Sequence, residues 1–441
     1  MFSSVVRHVS RRAGSVYGGI RSFSTADVRF GPEHRVARHG VNHLFVPGPT
    51  NIPIRVQRAM MRSSEDHRGP GFSNLAASIF PDLKRLFKAD HEHQVFIFPA
   101  TGTGAWESGL TNTLSPGDKV VAFRYGQFSL LWVDQAQRLG LDVQIVDCEW
   151  GDGADEDKLA QILAADKDKK IKGVMVVHNE TTTGVTSDIG KIRRTMNAAG
   201  TDALLFVDCV SSLTACDFRM AEWGVDVAMT GSQKGLSLPA GLGLVCASPR
   251  ALARAKSASL PRIFFSWADQ ITNNLSGNFP YTPSVPLLYG LREALDIIME
   301  IGLDNKIEHH ARLAEATRIA TSAWGLKNIC SDPRWFSNSV TTIEVPKGVD
   351  SNDVIRAAHT NHNLSLGLGL NKLNGRCFRI GHLGDMNEVS LLGAIAGTEM
   401  ALLDAGVPGV KAGAGTGAAV AYFQRTLAER AKEVDKAQIV Q

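Results

Sequence analysis

At 441 residues, 44% of them apolar, the chain can fill a sizeable core, and no run reaches the roughly 18 consecutive apolar residues of a membrane span. Its net charge is +3 with no basic block after residue 40, which argues against nucleic acid as a partner. Cys148, Cys209, Cys216, Cys246, Cys330 and Cys377 form no CxxC pair, so they are expected as reduced small hydrophobes rather than disulfides or zinc ligands.

The first 26 residues stand apart. MFSSVVRHVSRRAGSVYGGIRSFSTA carries Arg7, Arg11, Arg12 and Arg21, many serines and no acid. That is the composition of an organelle transit peptide, and its apolar stretch is too broken for a secretory signal. Without those four arginines the rest of the chain carries about −1. A mitochondrial address is the expectation, with plastid and peroxisome as the other candidates.

From residue 95 onward, short apolar runs alternate with helical patterns. VFIFP (95–99), VVAF (120–123), VQIVDC (143–148), GVMVVH (173–178), LLFVDC (204–209), VDVAM (225–229) and LGLVCAS (242–248) read as seven buried strands. Segments of helical period lie between several of them, such as 130–140 and 189–199, so a mostly parallel sheet covered on both faces is expected. A long helical connector (288–325) then leads to strand-like 339–346, a helix, NLSLGLGL, CFRIGHLG and a helix from about Glu388 to Ala405. These describe a smaller C-terminal α+β domain, giving a division into 1–26, 41–290 and 291–430. GVKAGAGTGAAVA (409–421) reads as a flexible joint before a terminal helix.

Chemistry is suggested by charges and glycines at strand ends. PATGTGAWESG (99–109) is a strand, a small-residue turn and a helix start, either a plain tight turn or a backbone cradle for phosphate. Its GxGxxxxG spacing is not that of a dinucleotide fold. Asp208 ends an apolar strand, where an unpaired carboxylate costs on the order of 3 kcal/mol. It is either a helix cap or the partner of a cationic ligand. Lys234 follows 26 residues later, after the next strand, and is either a solvated loop residue or a nucleophile. In an open α/β sheet, ligands bind beyond the carboxyl ends of the strands, and the Gly102–Gly104 loop, Thr181, Asp208 and Lys234 all fall there. A phosphate cradle, a carboxylate and an amine with lowered pKa together suit pyridoxal phosphate.

VDVAMTGSQKGLSLPAGLGLV resembles the lysine signature of the class V pyridoxal-phosphate aminotransferases. HLFVPGPTNIP, FPATGTGAWESGLTNTLSPGD, GQFSLLWVDQ, VHNETTTGVTSDI, DFRMAEWGVDVA, LSLGLGLNK and FRIGHLG extend the likeness from about His43 to Gln424. Within the class, the chain is most similar to the glyoxylate aminotransferases that take serine or alanine, especially the plant-type photorespiratory enzymes. The resemblance implies a fold-type I pyridoxal-phosphate transferase, acting by a ping-pong mechanism as a homodimer with shared sites. It implies that Lys234 binds the cofactor aldehyde and Asp208 the pyridine nitrogen, with Val210 near the ring. Thr101, Gly102, Thr103 and Gln233 would hold the phosphate, Thr181 would bond near the ring hydroxyl, and Phe128 would stack on the ring, with less area than the tryptophan of some relatives. Tyr281 and Thr282 would reach the neighbouring subunit's phosphate. Arg379 would grip the substrate carboxylate, and Pro47 and Gly48 would line the substrate side.

Two departures from the family pattern stand out. The chain ends KAQIVQ where peroxisomal relatives carry an SKL-like address, and Thr50 makes PGPT of the plant PGPV, placing a hydroxyl near the substrate side. Other polar residues are expected to be structural: His91, His93, His309 and His310 as solvated surface, His382 as a backbone-bonded turn histidine. Cys330 raises a class V lyase or cysteine desulfurase as the alternative, but Gln233 stands where that enzyme has histidine.

Overall fold

The computed structural model describes residues 40–63 and 65–439, and the arginine-rich leader lies outside them. The chain enters on β1 (His43–Phe45), and two helices lead to β2 (Gln94–Ala100). There follow β3 (Lys119–Arg124), β4 (Asp142–Asp147), β5 (Ile171–Val177), a two-residue ladder of β6 (Asn179–Glu180) and β7 (Val185–Thr186), then β8 (Leu204–Asp208), β9 (Val227–Gly231) and β10 (Gly241–Ala247).

All seven apolar runs are strands of one sheet, in the order β2-β10-β9-β8-β5-β3-β4. Only β10 is antiparallel to its neighbours, so the other six point the same way. Their carboxyl ends therefore lie along one edge. The runs are continuous rather than alternating because both faces are covered: every residue of β8 and β9 is buried. Residues such as Phe96, Phe98, Leu205 and Val245 are 1% exposed or less, each contributing roughly 1.5–3 kcal/mol of burial. The covering helices include Glu156–Ala165 and Ile189–Ala198, whose first turns are capped by the side chains of Asp155 and Asp188.

A second sheet follows in the order β1-β13-β14-β12-β11, formed by β11 (Lys327–Asn328), β12 (Val340–Glu344), β13 (Leu364–Leu368), β14 (Cys377–Gly381) and the entering strand. It has its own core, including Phe45, Trp324, Ile343, Phe378 and Ile380. β1 sits by sequence in the 41–290 segment, yet it pairs in parallel with β13, His43 opposite Leu364. The described residues from Asn42 onward form one compact unit.

Three local expectations need correction. The helical connector is two helices, Val285–Ile301 and Leu303–Ala323, broken at Gly302, whose φ of +86° no helix accommodates. The glycine-rich stretch before the terminal helix is partly that helix, which begins at Ala414. His93 and His310 are buried at 6% and 1% exposure, not surface residues. All six cysteines are free thiols. No helix of the described residues is long and apolar enough to cross a membrane.

Candidate active site

β2 ends at Ala100, and the helix Gly102–Thr113 starts at once, with Thr101 as its N-cap. Unlike the aspartate-capped helices, this one has no side-chain cap, so its first-turn amides are free to receive an anion. Gly102 is required by a close approach: a methyl there would lie 2.6 Å from Val210 Cγ2. The Gln233 carboxamide faces the same space. A methyl on Gly231 would stand 2.9 Å from Gln233 Oε1 and 3.2 Å from the Gly102 nitrogen. Gln233 Oε1 is buried without a hydrogen-bond partner, and because the two carboxamide atoms can exchange places, this end can present N–H to a phosphate.

Asp208, at the end of β8, is 4% exposed and takes one hydrogen bond, from the Val210 amide at 2.7 Å. Burial raises its carboxyl to about 7, opposed by that amide, with the charge of Glu180 pushing further up and the Trp106 indole and the Lys234 charge pulling down. Asp226 shows what a structural carboxylate looks like here. It is 1% exposed and receives Arg193 at 2.7 Å, Arg250 at 3.2 Å, the Leu205 amide at 2.9 Å and Ser248 Oγ at 3.0 Å. Asp226 is saturated; Asp208 is left wanting a cation.

Lys234 lies in the turn after β9. Burial, and then the nearby charge of Arg379, lower its amine to about 8, while Asp208 pulls the other way. Nζ donates to the Pro47 carbonyl at 2.6 Å, and the Lys234 carbonyl accepts from Thr50 Oγ1 at 3.1 Å and the Ser237 amide at 2.9 Å. Gly48, at φ +117°, makes room for this: a methyl there would overlap Nζ.

Arg379 comes from β14 of the second sheet and is 6% exposed. Its Nε donates to the Leu368 carbonyl at 2.7 Å and Nη1 to the Thr181 carbonyl at 3.0 Å, leaving Nη2 uncommitted. Burial lowers the guanidinium to about 10, opposed by Glu180. Pro47, Gly48 and Arg379, the three residues assigned to substrate, line one cavity of about 470 Å³.

The remaining candidates divide. Phe128 is half-buried at the start of the helix Gln127–Arg138, and Thr181 is 2% exposed beside Arg379. Thr101 and Thr103 are exposed at the helix N-terminus. Tyr281 and Thr282 are exposed as well, Tyr281 stacking on Phe264 at 5.5 Å; no hydrogen bond ties them to the Lys234 cluster.

Two participants escaped the sequence reading. Glu180 is fully buried and accepts from the Phe128, Ser129 and Thr182 amides at 3.0–3.1 Å, tying the Phe128 loop to the Thr181 loop. Trp106 stacks on Trp132 at 5.6 Å, its buried indole N–H near enough to the Asp208 carboxyl to favour its charge while meeting no acceptor in full hydrogen-bond geometry. Thr50, singled out in the sequence as near the substrate side, turns its hydroxyl to the Lys234 backbone instead. An acid inside HNETTTG, between buried strands, was the one available signal, for Glu180.

An uncapped helix start, an orphaned carboxamide, an under-bonded carboxylate and a low-pKa amine fit the phosphate, ring nitrogen and aldehyde of pyridoxal phosphate. Comparison with known proteins agrees. The family profile described as "Aminotransferase class-V" matches residues 43–370. The serine–glyoxylate aminotransferase of Methylorubrum extorquens is 56% identical over 392 residues, 88% of this chain and 97% of that protein. That of Arabidopsis thaliana is 53% identical over 399 residues, 90% and 97% of the two chains. Among solved structures, pyridoxamine–pyruvate aminotransferase from Mesorhizobium loti superposes with a TM-score of 0.82 at 26% identity, covering 88% of this chain and 99% of that one. The chain belongs to the class V aminotransferases and is a pyridoxal-phosphate-dependent transaminase.

Proposed function

We propose that this transaminase moves an amino group from serine, with alanine as the second donor, to glyoxylate, giving glycine and hydroxypyruvate or pyruvate. The observation that carries the reading is the Lys234 amine, held at about 8 between an under-bonded Asp208 and a buried Arg379. The names of the most similar relatives support glyoxylate as acceptor and serine as donor.

Bound pyridoxal phosphate supplies an aldehyde that takes the donor's amine and a ring that accepts electrons from its Cα. The chain's own groups do the rest. Asp208, ionised, would pair with the cofactor's ring nitrogen and keep it protonated. Lys234 would take the donor's Cα proton as the neutral amine, the form that predominates above about pH 8, and return one on the other side of the transfer. Pro47 offers its carbonyl to the amine in its free state. Arg379 keeps Nη2 for the substrate carboxylate, its orientation fixed by the Leu368 and Thr181 carbonyls. Cys330 is 3% exposed with its thiol pushed up to about 12 by burial, so it is no desulfurase nucleophile.

The active unit is a homodimer in which Tyr281 and Thr282 serve the neighbouring subunit's phosphate. Their exposure at the start of the helix Val285–Ile301 leaves them available for it. The acid-free, arginine-bearing leader directs the protein to the mitochondrion, which a leader–reporter fusion tests by its location. The function itself is tested by glycine formation from glyoxylate with serine, alanine and asparagine as donors. Serine should give the highest kcat/KM, and absence of glycine with every donor overturns the proposal.

A further inference from the structure

A second cavity, of about 360 Å³, lies behind the lysine turn and falls in the size range of small-molecule sites. One wall is the turn itself, through Gly235 and Ser237. Another is the loop after β14, through Asp385 and Met386. The third is the helix Leu303–Ala323, through Lys306 and His310, one turn apart and on the same face, and the fourth is an apolar stripe of the helix Val285–Ile301, from Ala294 to Ile301.

Three polar groups of this cavity are unspent. Among the described residues Lys306 Nζ enters no hydrogen bond or ion pair, and burial lowers it to about 8, opposed by the charge of Asp385. The Asp385 carboxylate is likewise unpaired, so two opposite charges line one cavity without closing on each other. His310 is 1% exposed. Its Nδ1 meets the His382 carbonyl at 3.1 Å, and a carbonyl can only accept, so Nδ1 carries the proton and Nε2 a bare lone pair. That Nε2 is buried and has no partner. His309, beside it, is committed to the Met386 carbonyl at 3.0 Å, which ties helix and loop together.

A cation separated from an anion and a lone-pair acceptor is complementary to a ligand carrying the opposite pair. We propose that this cavity binds a small zwitterionic amino acid, its carboxylate on Lys306 and its ammonium shared between Asp385 and His310. The occupant would touch Ser237, whose amide holds the Lys234 carbonyl, so the site would report to the catalytic turn.

The test uses the holoenzyme and N,N-dimethylglycine. This is a zwitterion whose tertiary amine forms no imine with an aldehyde, so it is blind to the Lys234 chemistry and its outcome is independent of the proposed function. Calorimetric titration should show saturable binding that weakens about tenfold or more in K306M and in D385N and is unchanged in R379A. Asp385 is exposed, so D385N keeps the test alive if K306M does not fold. Acetate and dimethylammonium, each carrying half of the charge pair, should not saturate. No saturable binding to the wild type overturns the proposal, as does binding lost in R379A but kept in K306M. Acetate binding as tightly as the zwitterion also overturns it, leaving a plain anion site.

Discussion

The hydroxyl of Thr50 donates to the backbone carbonyl of Lys234 at 3.1 Å, while the same lysine's Nζ donates to the carbonyl of Pro47 at 2.6 Å. Residues 47–50 thus hold the lysine at both ends. Thr50 is 4% exposed, and a methyl on Gly384 would run into it, so the side chain cannot swing toward substrate. Its hydroxyl bears on the position of Lys234 rather than directly on donor choice.

Thr50→Val should therefore cost about 1 kcal/mol of stability, the net value of one hydrogen bond. It should lower kcat more than it raises KM, with Thr50→Ser restoring both. The fold survives because the Ser237 amide still satisfies the Lys234 carbonyl. Melting curves and steady-state kinetics on the three proteins check this. An unchanged kcat in the valine variant would remove Thr50 from the catalytic arrangement.

Lys234 titrates early because it is buried and because Arg379 sits near it, with Asp208 opposing. Competitive acylation of cofactor-free protein should give Lys234 an apparent pKa near 8. Arg379→Met removes a repelling cation and should raise that value. Asp208→Asn removes an attracting anion and should lower it. Absence of both shifts would mean that burial alone sets the amine.

Much of this was legible in the sequence because the sheet buries both faces. Continuous apolar runs then mark strands without ambiguity, and a charge that ends such a run, as Asp208 does, advertises itself. Lys234 was legible for the same reason, placed after a strand among glycines. What stayed hidden depends on contacts distant in sequence. β1 is three residues long and gains its place only from β13, some 320 residues away. His310 lies on a helix of weak amphipathic pattern, and its burial comes from the loop after β14 packing on it. The Thr50 bond spans 184 residues, and nothing local in PGPT signals it.

Gly48→Ala should disable the site without unfolding the chain. The residue has φ +117°, and the new methyl would overlap Lys234 Nζ and stand 2.6 Å from its Cε. The lysine must move by about an ångström, a displacement that costs on the order of a hundredfold in rate. The absorbance of the reconstituted protein reads whether Lys234 still binds the cofactor aldehyde; full incorporation at normal kcat would contradict the close packing.

Asp208 and Asp226 make a controlled pair, both buried, one starved of donors and one saturated. Asp226→Asn strands Arg193 and should cost roughly 3–5 kcal/mol of stability, with kcat per folded molecule preserved. Asp208→Asn should do the reverse, leaving the cofactor-free protein at least as stable and lowering kcat by on the order of a hundredfold or more. The pH dependence follows from the raised carboxyl. Folded Asp208 at about 7 holds its proton more tightly than the unfolded group at 3.8, so its contribution is most favourable below pH 4. That contribution is lost as pH rises to 7, amounting to a few kcal/mol. Cofactor-free wild type should accordingly lose stability relative to Asp208→Asn between pH 4 and 7, and bound cofactor should reverse the loss by giving the carboxylate its cation. Denaturant titrations of both proteins across that range, with and without cofactor, measure it. Parallel curves for the two proteins would show that Asp208 is already ionised and satisfied in the empty site.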